Sequence, residues 1–144
     1  MTVPGKPTNP KDVLASATKL PLHLWPAPAT ALGVTALLDG ALKYGRANWR
    51  VSGVRASVYK DALDRHMSAW FEGEDNDPQS GVPHLGHALA CLAILADAKA
   101  AGTLVDDRQF PAGYRSWIDT LTGHVGRLLK VHEPDEAPHH RTGA

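Results

Sequence analysis

His84 and His87 are three positions apart in the segment HLGHALAC. At that spacing on a helix the two imidazoles share one face, with Ala88 and Cys91 beside them. A neutral imidazole is a common ligand for divalent ions, so such a pair can hold one metal between its rings. The small neighbours Gly86 and Ala88 leave room beside the pair. His66 falls within the apolar stripe of the preceding helical segment, close to that segment's end. If the two segments form a hairpin, all three histidines meet at one end of it. The plain alternative is a set of core histidines satisfied by carbonyls or carboxylates, as buried polar groups usually are.

Between these histidines runs the loop GEDNDPQSG, preceded by Glu72, with Glu74, Asp75 and Asp77 inside it. Carboxylates this dense offer the hard oxygen donors that Mg²⁺ and Mn²⁺ prefer. Glu74 and Asp77 are the chosen pair, since they bracket the approach to the histidine helix. The competing reading is a solvated turn, and Asp77-Pro78 is ordinary turn chemistry. A third feature is KYGRANWR, residues 43–50. Lys43, Arg46 and Arg50 form a local basic patch, and Tyr44 and Trp49 offer rings that could stack on a base. Arginine forks grip phosphate oxygens in pairs, and lysine supplies a mobile point charge. Equally, cations near a helix C-terminus complement its dipole, and aromatics there anchor cores. There is no P-loop, dinucleotide fingerprint, nucleophile elbow or C-x-x-C. Cys91 lies in an apolar run, which argues against a nucleophile, and Asp106-Asp107-Arg108 reads as a cap or ion pair. His139-His140 in the tail reads as incidental.

The elements that must position these groups are helical. Apolar periodicity predicts helices over about 29–44, 57–72, 83–101 and 112–131, with no convincing strand. The third is apolar nearly all round and is expected to be central. Four helices with mostly short connections predict an all-α, four-helix antiparallel bundle over residues 29–132. Residues 1–28 hold six of the eleven prolines and read as an extended arm, with room for at most a short turn or helix. Leu20, Leu22, Leu24 and Trp25 imply that this arm packs on the body. Residues 133–144 lack periodicity and read as a flexible tail.

Composition narrows the function classes. The chain has 144 residues, 43% hydrophobic and 21% charged, which fits one ordinary globular domain. Fifteen Lys+Arg balance fifteen Asp+Glu, so nothing draws the chain in bulk to a nucleic acid polymer or an anionic membrane. The N-terminus has no apolar core for a signal peptide, and the apolar run over residues 85–96 is too short to span a bilayer. A lone cysteine suits a reducing compartment, and a cytoplasmic location is expected.

Several segments together resemble one family. NPKD (residues 9–12), TKLPLHLWP (18–26), LLDGALKYGRANWR (37–50), DRHMSAWFEGEDNDPQSGVPHLGHALACLAIL (64–95) and DDR (106–108) are similar to the phage-associated dATP/dGTP diphosphohydrolase N-terminal domain. The resemblance implies metal-dependent hydrolysis of a purine deoxynucleoside triphosphate to the monophosphate and pyrophosphate, in the host cytoplasm if phage-encoded. It also implies similarity to the all-α, MazG-like pyrophosphohydrolases, whose facing helices carry E-x-x-E and E-x-x-D pairs that hold Mg²⁺. This sequence departs from that pattern, with His84 and His87 where such a pair would stand.

On this footing the expected metal ligands for Mg²⁺ or Mn²⁺ are His66, His84, His87, Glu74 and Asp77, with His66, Glu74 and Asp77 in catalysis. The expected nucleotide contacts are Lys43, Tyr44, Arg46, Asn48, Trp49, Arg50 and Arg65, with Lys11 and Lys19 of the arm closing over the phosphates. A binding-only module that sequesters a nucleotide would use the same groups. A small interaction domain would need none of them. The apolar third helix, four tryptophans and the habits of MazG-like bundles point to a homo-oligomer.

Overall fold

The structure is a computed structural model that describes residues 9–132. In chain order it contains α1 (Pro10–Thr18), α2 (Ala27–Tyr44), α3 (Trp49–Ser52), β1 (Val54–Arg55), α4 (Ala56–Phe71), α5 (His84–Ala101), β2 (Leu104–Val105) and α6 (Tyr114–Val131). A 3-10 turn at Leu22–Leu24 precedes α2. The fold is all-α, and α2, α4, α5 and α6 are the helices the periodicity predicts. No helix among the described residues is long and apolar enough to cross a membrane.

Proline sets the helix entrances. Pro26 is the N-cap of α2 and Pro28 lies in its first turn, where a missing N–H costs nothing. Pro83 caps α5, which ends as expected at Gly102. α5 is the hub, with α2 and α4 both packed against it. The buried set is made of small side chains: Ala36, Ala56, Ala88, Ala90, Ala98 and Cys91, with Val54 and Val82. Small residues let helix axes approach closely, and Gly86 marks the tightest point. A Cβ there would lie 2.6 Å from the Leu32 carbonyl oxygen of α2.

A short parallel pair ties the linkers together, with Val54 opposite Leu104 and Arg55 opposite Val105. Gly53 turns into it with φ 72°, where a Cβ would meet the Thr103 carbonyl oxygen at 2.8 Å. The pair has only two residues per strand, below what alternation in sequence can reveal. Next to it the Asp107 carboxylate caps α4, accepting the Ser57 N–H (2.9 Å) and the Ser57 hydroxyl (2.5 Å). Asp106 makes a two-pronged pair with Arg108 at 2.7 Å on each prong.

The arm contains the short helix for which its sequence leaves room, over Pro10–Thr18, where Asn9 supplies an N-cap: its Oδ1 accepts the Lys11 N–H at 2.9 Å. Leu20, Leu22, Leu24 and Trp25 are exposed rather than packed on the body, and Trp25 reaches only Thr30 of α2 through its indole N–H, at 3.0 Å. Among the described residues the packed body is made by α2, α4 and α5, while every residue of α6 is exposed and no described element packs extensively against it. The connection over residues 106–113 is irregular and exposed, is pinned to α4 by Asp107 and contains Pro111. Residues 133–144, with the flexible-tail expectation and His139-His140, lie outside the described residues, as do residues 1–8 of the arm.

The Gly86 contact yields a stability test. Gly86→Ala should destabilise the fold by about 1–3 kcal/mol, since its methyl meets backbone that cannot swing aside. Gly33→Ala should change stability by less than about 0.5 kcal/mol, because the Cβ would sit 3.5 Å from Leu89 Cβ in ordinary contact. Thermal unfolding followed by circular dichroism separates the two.

Candidate active site

α4 and α5 are joined by the acidic loop, and their hairpin brings the three histidines together. Ring centroids of His66 and His87 lie 4.5 Å apart, with the planes stacked at 11°. His66 and His84 meet edge on, Nδ1 to Nδ1 at 2.9 Å. His84 is 5% exposed, and its Nε2 lies 2.7 Å from Glu74 Oε1. Glu74 itself is half-exposed.

These contacts fix the protons. A carboxylate only accepts, so His84 Nε2 carries a hydrogen and donates to Glu74. With His84 neutral, its Nδ1 is then a lone pair that must accept from His66 Nδ1–H. That leaves His66 Nε2 as a free lone pair, which is a base. Burial, then His87 and His84, push His66 below the ordinary imidazole range, although Asp77 opposes them. The ring therefore stays unprotonated, with its lone pair available, at neutral pH.

The second carboxylate steadies His87. Ser80 donates its hydroxyl hydrogen to Asp77 Oδ2 at 3.1 Å, and His87 Nε2 lies 3.0 Å from the same hydroxyl oxygen. His87 Nε2 is also 3.5 Å from Asp77 Oδ2. Asp77 is held below the usual carboxylate range chiefly by the Gln79 backbone N–H, with the Ser80 hydroxyl also contributing. The loop is latched by its own backbone: Asp77 N–H donates to the Val82 carbonyl at 2.9 Å and His84 N–H to the Asp75 carbonyl at 2.9 Å.

His66, His84, His87, Glu74 and Asp77, but not Ser80, line one cleft of about 770 Å³ between α2, α4 and α5. That volume lies within the range of small-molecule sites. Lys43, Tyr44, Asn48, Trp49 and Arg65, expected to contact a nucleotide, line the same cleft, as does Tyr59. Lys43 is paired with Asp39 at 2.7 Å, which raises its pKa. The remaining expected contacts lie elsewhere. Arg46 lines a separate hollow with Val34 and Leu38, because the turn after α2 holds Ala47 at φ 54° and sends its two neighbours to different sides. Arg50 turns to Asp97, donating from Nε at 2.7 Å and from Nη2 at 2.6 Å. Lys11 and Lys19 are exposed and do not line the cleft.

Two contributors escape the sequence reading. Asp97 also accepts the Trp49 indole N–H at 2.6 Å, and Arg50 with Trp49 holds its carboxyl down to about 2. Its signal was available, since Asp97 is the one acid in a mostly apolar α5. Ser80 is a plain loop serine, and nothing in its spacing marks it.

A divalent ion fits this donor set in part. Among the described residues, no three His, Cys, Asp or Glu side chains converge as a ready metal cage. Both nitrogens of His84 are engaged, and so is Nδ1 of His66. Glu74 and Asp77 retain oxygen lone pairs of the kind Mg²⁺ and Mn²⁺ favour.

A family model described as dATP/dGTP diphosphohydrolase, N-terminal, matches residues 9–108. The chain is 32% identical over 94 residues to a dATP/dGTP diphosphohydrolase of Salmonella phage PMBT28, covering 65% of this chain. The chain spans about a third of the length of that curated relative, 32%. No solved structure matches the chain.

The lowered His66 pKa carries a stability signature. In the unfolded chain this imidazole takes a proton near its ordinary 6.5, whereas the folded state resists it. Below that pH the unfolded state binds more protons, so stability falls as pH drops through the ordinary imidazole range and is recovered above it. Urea unfolding between pH 5 and 8 should show this slope, and His66→Gln should flatten it.

Proposed function

The chain belongs to the dATP/dGTP diphosphohydrolase N-terminal family, and on that premise we propose that its cleft binds a purine deoxynucleoside triphosphate and hydrolyses it to the monophosphate and pyrophosphate. The observation that carries this reading is a free imidazole nitrogen on His66, backed by His84 and Glu74, in a cleft lined by Lys43 and Arg65.

Lys43 and Arg65 bind the triphosphate and offset its charge as the pyrophosphate leaves. Tyr44, Tyr59 or Trp49 supplies a ring face for the purine, and Asp97 orients Trp49 by holding its N–H. Water loses one proton to His66 Nε2 as its oxygen bonds to phosphorus and the α–β anhydride breaks. The Nδ1 hydrogen passes to His84, and the imidazolium formed there rests against Glu74. His87 stacks on His66 and fixes its plane. Glu74 and Asp77 are the groups that would hold Mg²⁺ or Mn²⁺, whose chemistry is to neutralise the phosphate oxygens. In this scheme the histidines move and steady protons instead of binding metal, and phage nucleotide metabolism is the setting.

Incubating the chain with a panel of nucleoside triphosphates and Mg²⁺ or Mn²⁺, with products resolved by chromatography, tests the proposal. One purine should yield monophosphate and pyrophosphate in equal amounts. His66→Gln should lower turnover by about 10²-fold or more while nucleotide-induced thermal stabilisation persists. Glu74→Gln should also slow turnover and shift the acid limb of the pH profile. Intact nucleotides with specific stabilisation would replace hydrolysis with sequestration.

A further inference from the structure

α6 is an 18-residue helix with a continuous apolar stripe and no extensively packed partner among the described residues. It begins beyond the segment shared with the family, which ends at residue 108. An isolated helix of this length is marginal in water, and Gly123 and Gly126 weaken it further. Its stripe runs Tyr114, Ile118, Leu121, Val125 and Leu128, at alternating spacings of four and three residues. Branched side chains at Ile118 and Val125 with leucines at 121 and 128 form the combination that favours two parallel strands. Trp117 and Leu129 flank and widen the seam. Leu121 is 51% exposed, Val125 54% and Trp117 62%, so the seam is uncovered.

We propose that α6 pairs with α6 of a second copy of this chain as a parallel, two-stranded coiled coil. Area argues for a partner of this size. The chain exposes 12329 Å² against about 7,200 Å² for a compact monomer of 15.4 kDa. Even setting aside about 3,000 Å² for the twenty residues outside the described span leaves an excess of some 2,000 Å² per copy. The seam side chains leave on the order of 900 Å² open per copy, and two copies together reach the roughly 1,600 Å² of a standard stable interface. Gly123 and Gly126 both face away from the seam, and a Cβ on either meets nothing within 4 Å.

The full chain, measured by sedimentation equilibrium across concentration, should show twice the monomer mass. Leu121→Glu should return it to monomer with a loss of helix signal, while Gly126→Ala keeps the dimer and raises helix content. Val125→Cys should crosslink to its counterpart under mild oxidation, because equivalent seam positions face each other only in the parallel register; Cys91 is buried and does not compete. A wild-type monomer at all concentrations, an unchanged dimer in Leu121→Glu, or a dimer without the Val125→Cys crosslink overturns the proposal. None of these readouts depends on hydrolysis, so the proposed activity stands or falls separately.

Discussion

The closest constraint in this protein is the approach of α2 to α5, where the Leu32 carbonyl oxygen lies against the α-carbon of Gly86. No large side chain is fully buried among the described residues, so alanines and glycines rather than bulky wedges set the helix spacing. That spacing is also the width of the cleft. α2 brings Lys43 and Tyr44, α4 brings His66 and Arg65, and α5 brings His84 and His87. Cations and imidazoles face one another because the helices carrying them are held by contacts that a single methyl group would disrupt.

The polar groups inside the cleft obey a matching rule of full engagement. His84, deeply buried, has a partner on each nitrogen, and no buried side-chain nitrogen or oxygen among the described residues lacks one. A buried ring with one unmatched nitrogen would cost about 1–3 kcal/mol. Nitrogens without a partner fall instead on His66 and His87, which are only partly buried and border the open cleft. The same accounting that makes the core tolerable leaves these lone pairs and N–H groups at the cleft wall.

Much of this was legible in the sequence, and the rest fails for identifiable reasons. The bounds of α2, α4, α5 and α6 follow from periodicity together with Pro28, Pro83 and Gly102, because local chemistry decides them. The histidine trio was legible because a hairpin around a short loop leaves little freedom in where its ends meet. Their hydrogen-bond roles were not, since Nδ1 facing Nδ1 is a matter of ring orientation. Periodicity gives α6 an apolar face without saying whose surface it meets, and so it supplies the all-α class but not the number of helices packed together. Arg46 and Arg50 look equivalent to Lys43 in a string of letters. One backbone turn and one distant carboxylate, Asp97, separate them in space.

That turn has a consequence of its own. Ala47 carries a Cβ in a left-handed conformation, at a cost on the order of 1–2 kcal/mol relative to glycine or to an ordinary backbone. Glycine would remove the strain, yet it would also widen the set of conformations open to the segment between Gly45 and Trp49. Alanine exchanges enthalpy for a narrower range of backbone conformations just before Asn48 and Trp49, which line the cleft. The entropy of ordering that edge is settled during folding, which under the proposed function leaves less to lose when a ligand binds.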